Sequence, residues 1–489
     1  MKYIILLSLS FVFCLHTAIA ANISVPANGN LQTALNSAHP GDIITLAAGA
    51  TYTGNFTLAH NPGPQWITIQ SSAMSSLPAG TRVSTAKASF MPKLVTPNGA
   101  AVIAAAQGAN YYSIRGIEVR PAAGVYAQDL IQIGTASETF ADQLPHHFDF
   151  DRDYIHGDPK AGSKRGIALN GATITVENCY MSAFTSTWQD TQALEGWNGP
   201  GPFTITNNYL EAGTENIAFG GAVPSIQGMV PSDILVQNNL FFKPLSWRVG
   251  DPSYAGVPVW VKNHFELKNA QRVTLDHNVF ENNWVGADQR GFSLVFTVRT
   301  ESNEVPWAVV NNVTVTNNII RHSAAGINFM GHDDDPMGAG SSAGFLIQNN
   351  IWEDISSNWG GDGRLFQILN GVKSVTINHN TAFEEGFFAV FDLAVSANVN
   401  FTNNIAYIGW GVASSSGNGT AALTNFDKGA VFARNALIGG TANGYPTNNF
   451  FPASVSQVDF VNFAGGNYAL AAASPYKGKG TDGKDLGAP

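Results

Sequence analysis

Apolar and polar positions alternate with period two in short runs along most of the chain, and the runs recur. Each ends in an Asn pair or its equivalent, followed by an apolar or aromatic residue. The copies are TVENCY, closing its pair at Cys179, TITNNY at Asn208, LVQNNL at Asn239, TLDHNV at Asn278, VTNNI at Asn318, LIQNNI at Asn350, TINHNT at Asn380 and FTNNI at Asn404. An earlier copy, HFDFDRDYI, puts Asp153 in the same place. The steps between them are 26, 29, 31, 39, 40, 32, 30 and 24 residues, and a repeat of this kind sets the architecture before any other feature. Alternation with period two is a strand signature. Asn tolerates the left-handed backbone region and bonds its own main chain, so the pair predicts a sharp corner between two strands, with amides stacked from corner to corner.

A second set of alternating segments lies upstream of the corners: GIALN at 166–170, QALEGW at 192–197, NIAFGG at 216–221, HFELKN at 264–269, FSLVFTVR at 292–299, GINFMG at 326–331, RLFQIL at 364–369 and AVFDLA at 389–394. A third run, such as YLEA at 209–212 or VFENN at 279–283, follows just downstream. Three strands per coil, here called first, second and third, with the Asn corner between second and third, predict an all-β fold. It is a single-stranded right-handed parallel β-helix, a solenoid in which each coil contacts only its neighbours. Such a solenoid need not divide, so residues 21–489 are read as one domain.

Ahead of it, Lys2, the apolar run Tyr3 to Leu15 and Ala18-Ile19-Ala20 follow the order of a secretory signal peptide, residues 1–20, cleaved after Ala20. The apolar run is shorter than the roughly 20 residues of a membrane span, and no later stretch resembles one. A secreted or periplasmic monomer without a membrane span is the expectation. Cys14 leaves with the leader, so Cys179 is the one remaining cysteine and packing must supply the stability. The net charge of -10 disfavours nucleic acid, whose binding rests on phosphate neutralisation. A charged fraction of 12% beside 50 Gly describes a turn-rich β protein.

An open solenoid end is an exposed sheet edge and needs a cover. Residues 21–60 are read as an N-terminal cap, with a short amphipathic helix over 30–38, and residues 446–489 as the closing segment. The stretch LQTALNSAHPGDIITLAAGATY resembles the N-terminal cap of secreted β-helix proteins of the pectate-lyase-like superfamily, which includes pectate, alginate and chondroitin lyases. The tail NYALAAASPYKGKGTDGKDLGA, 467–488, is similar to their closing segment. The resemblance implies the fold for nearly the whole chain and a polysaccharide partner, while the fold itself hosts lyases, hydrolases and adhesins.

Outward side chains on consecutive first strands form a ladder about 4.8 Å per step, which suits a polymer. The 39- and 40-residue steps place the largest insertions around 221–317, so the middle of the solenoid is the candidate groove. In HFELKN, Phe265 and Leu267 fit the core parity, leaving Glu266 and Lys268 outward; Lys262 lies just ahead and Arg299 ends the next first strand. β-Elimination of a uronate polysaccharide needs neutralisation of the C6 carboxylate, by Ca²⁺ or a basic or amide side chain, and a base for the C5 proton. That base is commonly a Lys or Arg with its pKa lowered by cationic neighbours. FELKNA is loosely similar to the strand that carries the catalytic Lys of alginate and chondroitin lyases, which implies catalytic roles for Lys268 and Arg299 with Glu266 available to a metal.

Glu195, Trp197, Gln289, Arg290 and Asn328 complete a candidate substrate-binding set with Lys262, and Glu215 and Lys164-Arg165 stand on the preceding side. Trp188, Trp247, Trp260 and Trp284 fall in the same stretch, where they either stack on sugars or fill loops. An outward Lys and Glu also fit a plain solvated surface. Asp333 and Asp334, in GHDDDP, are a candidate Ca²⁺ ligand pair or a solvated acidic loop. With Glu195 they also offer carboxylates for glycoside hydrolysis, although the Gly-His-Gly and Arg-Ile-Lys elements of polygalacturonases are absent. Three functional classes stand at this point: lyase, hydrolase and non-catalytic glycan-binding protein.

Overall fold

A computed structural model describes residues 20–287 and 289–489. The expected leader, residues 1–19, lies outside the described residues. The chain winds into coils of three strands that stack, among the described residues, into sheets of 13 first strands, 15 second strands and 13 third strands, parallel except where Gly417–Asn418 pairs antiparallel with Gly411–Ser414 at the end of the first sheet. One coil shows the plan. Ala172–Glu177 is a second strand, Tyr180–Phe184 a third strand and Gln192–Gly196 a first strand, after which Phe203–Thr206 returns to lie beside Ala172–Glu177 with Ile174 opposite Phe203. Parallel crossovers of this kind wind right-handedly. The architecture is the right-handed parallel β-helix that the repeat predicts.

The Asn positions act as a continuous ladder. The main-chain N–H of Cys179 donates to Asn208 Oδ1 at 2.8 Å, Asn208 N–H to Asn239 at 2.8 Å, Asn239 to Asn278 at 2.9 Å and Asn278 to Asn318 at 2.8 Å. It continues through Asn350, Asn380 and Asn404, and then through Asn435 and Asn449, two corners beyond the sequence repeat. Each amide also donates back to a carbonyl of the coil before it, as Asn278 Nδ2 does to Val236 O at 2.9 Å. The residue preceding each ladder position from Cys179 to Asn435 takes the left-handed turn, with φ of 57° at Asn178, 58° at Asn238 and 54° at His277. The two members of the pair therefore divide the work, one turning the chain and the other bonding along the stack.

A second column of left-handed residues lies five positions earlier, where the chain enters the second strands: Thr173, Asp233, Arg272, Asn312, Ser374 and Asn398, with φ between 54° and 58°. These kinks break the alternation at the start of each second strand, so Arg272 is exposed beside buried Val273.

The core is one column of aliphatic and aromatic side chains running from Val25 to Leu437. The cap helix Leu31–Ser37 is held at its N-terminus by Asn30, whose side chain accepts from Thr33 N–H at 3.0 Å, and it lays Leu31, Ala34 and Leu35 over the first coil. At the other end a helix the alternation pattern does not announce, Thr420–Phe426, buries Ala422, Leu423 and Phe426. Leu470, Tyr476 and Leu486 of the closing segment pack on the last coils.

Candidate functional site

The first sheet presents two outward rows. One reads Asp129, Arg165, Gln192 and Glu215 on successive coils. The other reads Ala168, Glu195, Ala218, Glu266, Val295, Asn328 and Gln367. Small residues at Ala168 and Ala218 leave space between the carboxylates. A cavity of about 140 Å³ lies among Arg165, Gln192, Glu195, Glu215, Glu266 and Lys268.

Within it the charges alternate. The Arg165 guanidinium reaches Asp129 at 2.6 Å and also pairs with Glu195. The ring of Trp197 lies under the same guanidinium, 5.2 Å from centroid to Cζ, so Trp197 faces the site through a cation–π contact. Gln192 Nε2 donates to Glu215 Oε2 at 2.8 Å, and Asn263 Nδ2 donates to Glu266 Oε2 at 3.1 Å. Lys268 Nζ is 3.6 Å from Glu266 Oε1, and Lys262 Nζ is 2.8 Å from Asp190 Oδ1.

Burial, with Glu266 and Asp190 adding like charge, pushes the Glu215 carboxyl up to about 8. Lys268 is raised above the ordinary lysine range, first by Glu266 and further by Glu215 and Asp190, against the effect of burial. This corrects the expectation that cationic neighbours lower the pKa of the base: the groups facing Lys268 are carboxylates.

Gln192 Oε1 and Asn263 Oδ1 are buried and accept no hydrogen bond. Both flank Glu215 and Glu266, so this corner offers two amide oxygens and two carboxylates, the hard oxygen donors that suit Ca²⁺. No group of three His, Cys, Asp or Glu side chains is placed to hold a metal ion among the described residues, so the amides are essential to any such site.

Arg299 reaches the region through its backbone, donating its N–H to Lys268 O at 2.9 Å. Its guanidinium turns away to Asp333, at 2.8 Å, and to Asp334. Asp333 is buried and also accepts from Thr300 N–H at 2.6 Å and Thr300 Oγ1 at 2.9 Å. Burial opposes its ionisation, but these donors together with Arg299 prevail and hold the carboxyl at about 2. Asp333 and Asp334 are thus joined to Arg299 and not to the Glu266 cluster.

Gln289 and Arg290 line a separate cavity of about 260 Å³ with Asp362 and Arg364. Asn328 lies two steps beyond Glu266 on the outer row and accepts from Gln367 Nε2 at 3.2 Å. Trp247, Trp260 and Trp284 gather with Trp359 around another cavity of about 440 Å³, where Trp284 and Trp359 form a small apolar cluster. Trp188 is exposed near Tyr126. The structure therefore unites Glu195, Trp197, Lys262, Glu266 and Lys268, and adds Asp129, Asp190, Gln192 and Asn263. The readable signal for Gln192 was its place opposite Arg165 and Glu215, which aligning the first strands exposes.

No protein-family model matches the chain, and no curated protein matches it in sequence. Among solved structures it is similar to a mannuronic-acid-specific family 6 polysaccharide lyase from human gut microbiota, with a TM-score of 0.55 and 13% identity over 89% of this chain and 93% of that one. Pectate lyase Pel9A covers 96% of both chains at 13% identity and a TM-score of 0.35. An alginate lyase from Paenibacillus covers 84% of this chain and 99% of its own at 14% identity and a TM-score of 0.33. The protein is a right-handed parallel β-helix, the fold it shares with that family 6 lyase, and its first sheet carries a cavity lined by mixed acidic and basic side chains.

Proposed function

We propose that the protein is an extracellular polysaccharide-degrading enzyme that cleaves an acidic, uronate-containing chain by β-elimination in the first-sheet groove. The observation that carries this reading is the meeting of Lys262 and Lys268 with Glu215 and Glu266 beside two buried amide oxygens that lack partners. The lysines attract the polymer carboxylates, and Trp197 offers an apolar face beside Arg165. Gln192 Oε1, Asn263 Oδ1, Glu215 and Glu266 would hold Ca²⁺, which supplies positive charge for the uronate carboxylate and acidifies the C5 proton. With Glu215 and Glu266 engaged as ligands, their hold on the Lys268 proton weakens and Nζ becomes available as the base for C5.

One observation favours hydrolysis as a second reading. A carboxyl at about 8 beside Glu266 is the acid-and-carboxylate arrangement of glycosidases, with Glu215 as the acid. Purified protein incubated with pectate, alginate, chondroitin and neutral glycans, with and without chelator, separates the readings. β-Elimination yields unsaturated-product absorbance together with new reducing ends and is lost with chelator. New ends without absorbance establish hydrolysis. Co-sedimentation with glycan and no new ends establishes a non-catalytic binder.

A further inference from the structure

The corner from third to first strands varies from the two residues 213–214 to the long stretch 243–264, so its carbonyls lack regular ladder partners. Polar side chains inside the core meet them. Lys243 is fully buried, and its ammonium donates to Ala212 O at 2.9 Å, Gly213 O at 2.6 Å and Thr214 O at 3.2 Å, using all three of its protons. One coil on, Asn283 donates to Lys262 O at 3.1 Å and Phe292 O at 3.0 Å. A further coil on, Ser323 Oγ donates to Ala325 O at 2.9 Å.

The turn held by Lys243 runs directly into the groove. Thr214 Oγ1 lies 2.7 Å from Glu215 Oε2 and accepts the Thr191 N–H at 2.6 Å, while Glu215 heads the first strand Glu215–Phe219. A buried ammonium is costly, and an apolar residue would fill the same space at no electrostatic cost. Three aimed donors are what an apolar residue cannot supply. Glu211, Glu215 and His264 are the titratable groups near Lys243: burial lowers the lysine to about 7 against the pull of Glu215 and Glu211, the three carbonyls hold its charged form, and burial beside it keeps His264 neutral.

We propose that Lys243 is a positioning residue: from inside the solenoid its ammonium holds the 212–214 turn and so sets the place of the Glu215 carboxyl in the groove. The proposal rests on the groove assignment above for its catalytic consequence, but not for its structural one. On the outside of the same turn, Gln192 and Thr191 are the partners of Glu215 and Thr214, so the turn is gripped from both faces.

The test compares Lys243→Met and Lys243→Gln with Ser323→Ala in the full chain, using hydrogen exchange read peptide by peptide and steady-state kinetics on whichever polymer the wild type cleaves. In Lys243→Met, exchange over 209–219 should rise at least about tenfold while the 317–321 segment stays as in wild type. Its kcat should fall about 100-fold, the order that a displacement of about 1 Å costs, with KM within about threefold. The amide of Lys243→Gln should restore part of both, and Ser323→Ala should keep the wild-type kcat. Wild-type exchange over 209–219 in Lys243→Met overturns the proposal, as does an exchange increase spread evenly over all coils. If Lys243→Met does not fold, the same comparisons are read on Lys243→Gln. A wild type inactive on every polymer overturns the enzyme reading alone, and the exchange measurement then decides the role of Lys243.

Discussion

The ammonium of Lys268 stands 3.6 Å from the Glu266 carboxylate on the same outward edge, and Glu266 is the largest influence keeping that ammonium protonated. A lysine so placed binds anions in its resting state and becomes a base when the surrounding carboxylates are neutralised. Lys268→Ala should therefore reduce turnover at least about 100-fold, and Glu266→Gln should reduce it while lowering the Lys268 pKa. Both variants should melt within about 3 °C of wild type, because neither side chain belongs to the core. Circular dichroism melts and initial rates check the pair; wild-type turnover in Lys268→Ala excludes it as the base.

Removal of one orphaned amide oxygen, Gln192 Oε1, or of the Glu266 carboxylate bears on the cation. Isothermal titration with Ca²⁺ should show one site on the wild-type protein, with affinity reduced at least about tenfold in Gln192→Leu and in Glu266→Gln. Binding unchanged in both variants would place the ion elsewhere, with Asp333 and Asp334 the next pair to substitute.

Stability should fall as pH rises through the window set by Glu215. Its folded pKa, raised to about 8 from 4.5, means that between these values the folded state holds a proton the unfolded state has lost. Unfolding is then progressively favoured from about pH 4.5 to about pH 8, and the penalty is constant above. Glu215→Gln should flatten that part of the melting profile. The opposite sign holds for Asp333, whose carboxyl at about 2 stabilises the fold above pH 3.8 and loses that contribution as pH falls towards 2.

Asp333→Ala should cost about 2–3 kcal/mol, since it strands the Thr300 N–H and hydroxyl and releases Arg299. Arg299→Ala leaves those Thr300 bonds in place and should cost less. Denaturant titration ranks the two. Equal loss of activity with unequal loss of stability would show that Arg299 also acts on substrate.

In the Asn ladder, Asn278→Ala should cost about 3 kcal/mol, because it orphans both the Asn239 N–H and Val236 O. Asn208→Ala, which orphans the Cys179 N–H and Val176 O, should cost a similar amount. A cost under about 1 kcal/mol at both positions would show that strand pairing alone holds the corner.

The fold was legible because its cause is local and repeated. The Asn pair at Asn238–Asn239 specifies a left-handed residue followed by a ladder amide in any coil, whatever the neighbouring loops do. Arg272 shows the limit of that legibility: it takes the same left-handed kink as Thr173 and Asn312, and these residues have no shared chemistry, because the kink is imposed by stacking on the coils either side. Strand alternation likewise placed Glu266 and Lys268 outward together, and the uneven coil spacing pointed to the central coils on which they lie.

The amino-acid sequence by itself determined the solenoid, its corner and the outward placement of Glu195, Glu266 and Lys268, since period and turn chemistry act over a few residues. Only the tertiary structure decided which charges meet. It turned Arg299 onto Asp333, set Glu215 between Gln192 and Asn263, and put the Lys243 ammonium behind the Thr214 carbonyl. Those pairings depend on loops of unequal length returning to neighbouring coils about 4.8 Å apart, a distance in space that no spacing along the chain encodes.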